Sequence, residues 1–269
     1  MDSGPSEMTA SSSFASQSSE HQMNIITVPT PTEAVERAAA IVADEIRSHA
    51  APVLGFATGR TMESLYALLV ARYRKGALDF SSMTSFNLDE YVGIATSAPQ
   101  SYHTYMHEHL FDQVNMPAGH GHIPDGMAVD LNAECAAYEN RIRASGGIHL
   151  QLLGIGDTGH IGFNEPPSAF DTRTRPVVLD PVTRQQNAGM FGNNPDAVPE
   201  RALTMGVGTI LDAKRLLLLA VGSGKADIIN EALNGPISEK VSATAIRLHD
   251  NATLILDEAA ASIWKLTSK

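Results

Sequence analysis

An apolar run, Ile148 to Ile155, leads into Gly154-Ile155-Gly156-Asp157-Thr158-Gly159-His160-Ile161-Gly162-Phe163-Asn164-Glu165-Pro166-Pro167. Glycines 154, 156 and 159 are spaced Gly-x-Gly-x-x-Gly, the turn that opens a phosphate-holding helix in dinucleotide-binding folds. Pro166 and Pro167 oppose that reading, because proline removes a backbone donor and crowds the preceding turn, so no long helix can follow. The loop is instead suited to presenting His160 and Glu165 at the end of a strand, with Gly156 and Gly159 leaving room for a sugar. A histidine titrates near neutrality, and a carboxylate partner fits it to move protons on a sugar hydroxyl or ring oxygen. A structural histidine bonded to a backbone carbonyl is the competing reading.

Other short stretches carry chemistry of their own. Thr58-Gly59-Arg60-Thr61 stands between an apolar run and a helical pattern, where glycine lets the backbone approach an anion, hydroxyls donate and Arg60 adds charge. Gly222-Ser223-Gly224-Lys225 repeats that logic with a lysine at a helix start. It is not a Walker A loop, since Leu219 replaces the first glycine and Ala226 the metal-holding hydroxyl, so a phosphate monoester fits better than a nucleoside triphosphate. Asp89 and Glu90 follow a strand pattern; consecutive extended residues point to opposite sides, so one can serve as a base while the other makes a structural contact. An ordinary turn or helix cap is the alternative for each of these stretches. His103 and His107 are spaced i, i+4 with His109, His120 and His122 nearby, but no further ligand completes a metal set, and none is expected. Cys135 reads as a buried helix residue, and no Gly-x-Ser-x-Gly elbow supplies a serine nucleophile.

These residues need a scaffold, and the apolar periodicity supplies one. Strands are expected at 24–28, 53–56, 83–87, 148–155, 215–221 and 253–256, and helices at 62–74, 102–114, 132–144, 225–233 and 258–266. Thr30-Pro31-Thr32-Glu33 is a capping box, and Val35, Ala38, Ala39, Val42 and Ile46 line one face of the helix it opens. Strand–helix alternation predicts a single α/β domain over 23–269, with a mostly parallel, Rossmann-like sheet covered by helices on both faces. Ligands in such sheets bind beyond the carboxyl ends of the strands, so the loops at 57–61, 88–91, 153–166 and 222–225 should share one site. Ser-rich residues 1–22 read as a disordered tail or expression remnant, lacking the apolar stretch of a secretory signal. The chain has 269 residues, 43% hydrophobic, with a formal net charge of -11. That charge opposes nucleic acid or an anionic membrane as partner, no apolar run approaches the roughly 20 residues of a membrane span, and a cytoplasmic location is expected.

Taken together, Phe86-Asn87-Leu88-Asp89-Glu90-Tyr91-Val92-Gly93, Ser101-Tyr102, Gly159-His160-Ile161-Gly162-Phe163-Asn164-Glu165-Pro166 and Ala202-Leu203-Thr204-Met205-Gly206-Val207-Gly208-Thr209 closely resemble the motifs of the glucosamine-6-phosphate deaminase (isomerase) family. The resemblance runs from about residue 23 to the C-terminus. It implies conversion of D-glucosamine 6-phosphate and water to D-fructose 6-phosphate and ammonia, without a cofactor. It also implies roles: Asp89 moves a proton between C2 and C1, His160 assisted by Glu165 opens the ring, and Thr58, Gly59, Thr61 and Lys225 hold the phosphate. A fixed phosphate turns those proton transfers into nearly intramolecular steps.

The chain departs from the family pattern at several places. Thr158 stands where members carry Asp or Asn in the ring-opening relay, with Asp157 one place earlier as a candidate substitute. Arg60 replaces a glycine of the phosphate loop, and Gly189 stands where enteric-type members have a phosphate-binding arginine, so Arg60 is expected to supply that charge from the other side. Of the enteric allosteric residues, Ser168 and Arg175 are present, Val177 takes the place of the lysine, and the C-terminal tyrosine has no counterpart. Activation by N-acetylglucosamine 6-phosphate and the hexamer that accompanies it are therefore not expected, while a homo-oligomer stays open. The rival readings are a related 6-phosphogluconolactonase, a deaminase for another amino-sugar phosphate such as galactosamine 6-phosphate, and a non-catalytic sugar-phosphate sensor.

Overall fold

In the computed structural model, which describes residues 23–267, the first strand and helix form where the capping box places them. β1 (Asn24–Val28) leads into α1 (Pro31–Ser48), with Pro31 in its first turn. The Thr30 hydroxyl oxygen accepts from the Glu33 N–H at 3.2 Å, and the hydroxyl donates to the Glu33 carboxylate at 3.0 Å. Val35, Ala38, Ala39, Val42 and Ile46 are all buried, so the helix is held by its apolar stripe as well as its cap. Residues 1–22, expected to form a tail, lie outside the described residues.

The chain continues through β2 (Val53–Phe56), α2 (Arg60–Arg74), β3 (Thr84–Asn87), β4 (Asp89–Tyr91), α3 (Tyr102–His109), β5 (Gly121–His122), α4 (Leu131–Ala144) and β6 (Leu150–Leu153). It then forms β7 (Arg175–Val178), α5 (Pro181–Asn187), β8 (Arg201–Thr204), α6 (Val207–Leu211), β9 (Leu216–Ala220), α7 (Ala226–Asn234), β10 (Ala252–Asp257) and α8 (Ser262–Thr267). Seven strands make one parallel sheet in the order β1-β10-β9-β6-β2-β3-β5. Every residue of β2, β6, β9 and β10 is buried, as a parallel sheet covered on both faces requires. From β2 the chain moves outward to β3 and β5; from β6, on the other side of β2, it moves outward to β9. The sheet therefore reverses direction between β2 and β6, and a crevice opens at such a switch point beyond the strand ends.

A second, antiparallel sheet was not expected. β4 pairs with β8 and β8 with β7, in the order β4-β8-β7. Only Leu88 separates β3 from β4, and it bridges the two sheets: its N–H donates to the Phe56 carbonyl at 3.0 Å and its carbonyl accepts from Met205 N–H at 2.7 Å. Several element bounds differ from those expected. The strand at 148–155 spans only β6, and the helix at 102–114 stops at His109 before a 3₁₀ turn at Phe111–Gln113. Residues 223–225 form a 3₁₀ turn ahead of α7, and α8 begins at Ser262. No helix follows Gly159; residues 163–174 are turns and bends, in line with the two prolines.

Candidate active site

β3, β2, β6 and β9 are consecutive in the sheet, so the loops that follow them leave one edge side by side. Hydrogen bonds tie them together. The Tyr105 hydroxyl of α3 donates to the Gly59 carbonyl at 2.8 Å, and Lys225 pairs with Asp157. Thr204, opposite Asp89 in the β4–β8 ladder, accepts from Phe163 N–H at 3.0 Å through its hydroxyl oxygen. A Cβ on Gly162, whose φ is +57°, would lie 3.5 Å from Asp89 Oδ2 and 3.0 Å from Thr204 Oγ1. The left-handed backbone favours glycine at this position, and the loop bearing His160 here lies within ordinary contact distance of Asp89 and tight against Thr204.

Asp89 and Glu90 divide their tasks as opposite faces of a strand allow. The Glu90 carboxylate, 1% exposed, turns away from the crevice and accepts from the N–H groups of Tyr91 (2.8 Å), Tyr102 (3.1 Å) and His103 (3.1 Å), and pairs with His103 Nδ1 at 3.0 Å. It thereby caps α3 alongside Ser101, whose hydroxyl oxygen accepts from Thr104 N–H at 3.0 Å. Asp89 is 6% exposed, and its carboxylate has no hydrogen-bond partner among the described residues. Burial, reinforced by the charge of Glu90, pushes its pKa up to about 8. A carboxyl that binds a proton near neutrality and is not tied down by donors is equipped to take and return one.

His160, 8% exposed, lies flat over Gly156: a Cβ there would sit 2.1 Å from Nε2. Gly156 thus makes room for the histidine ring and not for a sugar. Gly159, at φ +79°, packs against Val241 and Ile228, where a Cβ would come within 2.5 Å and 2.8 Å. Thr158 Oγ1 stands 2.8 Å from His160 Nδ1 in hydrogen-bond geometry. Glu165 Oε2 is 3.3 Å from the same nitrogen, close enough for charge pairing but out of line for a hydrogen bond. Burial pushes the Glu165 carboxyl up, but the attraction of His160, aided by the Asp180 N–H at 3.3 Å, holds it below the usual range. With Nδ1 occupied, Nε2 is the nitrogen left for a substrate.

The two anion loops have open donors. Gly59, at φ +119°, precedes α2 and supplies no capping side chain; its carbonyl accepts from Met62 and Glu63 N–H, while the N–H groups of Arg60 and Thr61 have no acceptor among the described residues. Arg60 is exposed, Thr58 and Thr61 are half-buried. Gly222, at φ +90°, starts the other turn and is held by Asp257, which accepts from its N–H at 2.9 Å. Lys225 Nζ lies on Asp157 Oδ1, and Gln186 of α5 donates to Asp157 Oδ2 at 2.8 Å. Asp157 therefore faces Lys225, and Thr158 is the residue that reaches His160. Gly189 lies in the 3₁₀ turn Ala188–Phe191 with open space around it.

Several supporting residues have no role assigned from the sequence, although most of them lie in the motifs quoted above. Asn164 donates to the carbonyls of Ile161 and Met205 at 2.8 Å each and accepts from Arg175 at 2.8 Å. Ser242 accepts from Ile161 N–H and donates to the Asn164 carbonyl. Tyr91, Tyr102 and Phe163 pack together beneath Asp89, and Asn187 of α5 donates to the Tyr91 hydroxyl at 2.9 Å. Of the histidines considered for a metal, His103 is taken by Glu90 and His107 by Asp112. No group of three or more metal-binding side chains occurs among the described residues. A separate cleft lined by Glu139, Arg143, Arg173 and Asp212 opens at the other end of β6 and contains none of the residues above.

Comparison with known proteins agrees with this geometry. The family described as glucosamine-6-phosphate isomerases/6-phosphogluconolactonase matches residues 19–255. The chain is 46% identical over 247 residues to glucosamine-6-phosphate deaminase 2 of Bacillus subtilis (strain 168), covering 91% of this chain and 99% of that protein. It is 48% identical over 228 residues to a glucosamine-6-phosphate deaminase of Alkaliphilus oremlandii, covering 85% and 94%. Among solved structures, a monomeric glucosamine-6-phosphate deaminase superposes with a TM-score of 0.87 at 44% identity, over 90% of this chain and 100% of that one. A 6-phosphogluconolactonase from Trypanosoma cruzi superposes with a TM-score of 0.71 over 90% and 97%, at 20% identity, which speaks for a shared fold alone.

Proposed function

The chain belongs to the glucosamine-6-phosphate isomerase/6-phosphogluconolactonase family, and from that premise we propose that it converts D-glucosamine 6-phosphate and water to D-fructose 6-phosphate and ammonia at the crevice between β2 and β6. The observation that carries this reading is Asp89: a buried, unbonded carboxyl with a pKa near 8, facing the loop that holds His160. A lactonase, which only adds water to a carbonyl, has no use for such a group between C1 and C2.

The phosphate is held by the free N–H groups of Arg60 and Thr61, the hydroxyls of Thr58 and Thr61, and the charges of Arg60 and Lys225. His160, steadied at Nδ1 by Thr158 and Glu165, passes a proton through Nε2 to the ring oxygen as the C1–O5 bond breaks. Thr158 carries no charge, so stabilisation of the imidazolium falls to Glu165. Ring opening frees the C1 hydroxyl proton and leaves an aldehyde. Asp89 then removes the C2 proton, the electron pair flows onto the C1 carbonyl oxygen, and that oxygen takes a proton from the C2 ammonium group. Asp89 returns its proton to C1 as the amino lone pair closes on C2. That leaves an iminium at C2, which water converts to the ketone with release of ammonia.

Arg60 supplies charge that Gly189 cannot, so Arg60→Ala should raise KM by more than roughly tenfold with kcat little changed. The deciding experiment is an ammonia-release assay on glucosamine 6-phosphate, galactosamine 6-phosphate and their N-acetyl forms. Ammonia from glucosamine 6-phosphate is expected; its absence alongside hydrolysis of a phosphogluconolactone would overturn the reading. We extend the reading to regulation: the enzyme works without coupling between subunits, because Arg175 is engaged with Asn164 and Ser168 and Val177 brings no charge to that side.

A further inference from the structure

Asp157 sits in the loop that carries His160, yet its carboxylate is turned to the neighbouring loop, where it holds the Lys225 ammonium. Gln186 donates to its second oxygen at 2.8 Å, so the carboxylate is fixed between the β9 loop and α5. The Lys225 side chain is 27% exposed and that of Asp157 53%, so the pair lies at the rim of the crevice with its cation the more sheltered partner. We propose that Asp157 is a built-in competitor for the phosphate cation and thereby sets the affinity of this protein for its substrate. This rests on Lys225 binding the phosphate, as argued above.

A phosphate dianion that takes Lys225 must first displace a carboxylate already on it, and apparent affinity falls by the fraction of molecules in which the pair is closed. Once bound, the dianion lies beside a like charge that Gln186 keeps from swinging away, which opposes binding again. Both effects act on binding. Neither touches the proton transfers, because His160 is oriented by Thr158 and Glu165.

Asp157→Asn tests this, since the amide keeps the volume and can still accept from Gln186 while releasing the ammonium. Dissociation constants for inorganic phosphate and D-glucitol 6-phosphate should be measured with steady-state kinetics on glucosamine 6-phosphate. Both constants and KM are expected to fall about three- to tenfold with kcat within about twofold. An unchanged or higher Kd overturns the proposal, as does a loss of kcat at constant KM, which would place Asp157 in the His160 relay. Lys225→Ala, run in parallel, separates the two readings. If it weakens phosphate binding while Asp157→Asn does nothing, only the competition is wrong; if it leaves phosphate binding intact, the phosphate role of Lys225 fails and the proposal with it.

Discussion

A carboxyl buried without a hydrogen-bond partner is costly, and Asp89 is one. Burial, with the charge of Glu90 added, carries its pKa to about 8, against an ordinary value of 3.8. Between those values the folded protein keeps a proton that the unfolded chain gives up, so stability falls as pH rises from about 4 to about 8. At about 1.4 kcal/mol per unit, the ionised group is a cost of several kcal/mol. Asp89→Asn removes the charge and keeps the shape. It should abolish ammonia release, and its Tm should exceed that of the native protein by a margin that grows between pH 5 and pH 8.5. A margin independent of pH would mean that Asp89 is not protonated in the folded state. Such an opposition between stability and activity at one residue is expected where a base is kept out of water in order to react.

The strand β4 gives that residue its setting and couples it to the loop at 57–61. Asp89 points into the crevice and Glu90 onto the start of α3, while α3 reaches back through Tyr105 to the carbonyl of Gly59. Glu90→Gln replaces one acceptor oxygen by a donor facing the His103 N–H, a loss of about 1–3 kcal/mol. Differential scanning calorimetry should find Tm lowered by several degrees. Because the charge of Glu90 also raises the Asp89 pKa, the acid limb of kcat/KM should move to lower pH in this variant. If neither moves, Glu90 is only a buried spectator. The division of Asp89 from Glu90 could be foreseen from strand alternation, and the four converging loops from the strand-end rule. Helix α1 was equally plain, since its cap and stripe lie within one short segment. What could not be read was the sheet β4-β8-β7. β4 has only three residues, β7 contains Pro176, and their partner β8 joins the two by backbone pairing that leaves no periodicity. Asn164, Ser242 and Asp257 were missed for the same reason: their partners are mostly backbone groups distant in sequence, and no local pattern records such bonds.

At the scale of the whole molecule, the question is whether anything outside the crevice controls it. Allosteric activation needs an effector that binds two conformations unequally, and a phosphorylated effector needs uncommitted cations to do so. Along β7 the only charged residue is Arg175, which donates to Asn164 at 2.8 Å and to Ser168 at 3.1 Å, and so braces the loop that carries Glu165. Burial lowers its pKa, and among the described residues it has no carboxylate partner that an effector phosphate could replace. Val177, on the same strand, adds no charge. Saturation by glucosamine 6-phosphate should therefore be hyperbolic and unaltered by N-acetylglucosamine 6-phosphate in steady-state assays. A Hill coefficient above about 1.3 that the N-acetyl sugar phosphate brings down to 1 would show a second state and a second site, and would place Arg175 among the groups that read it.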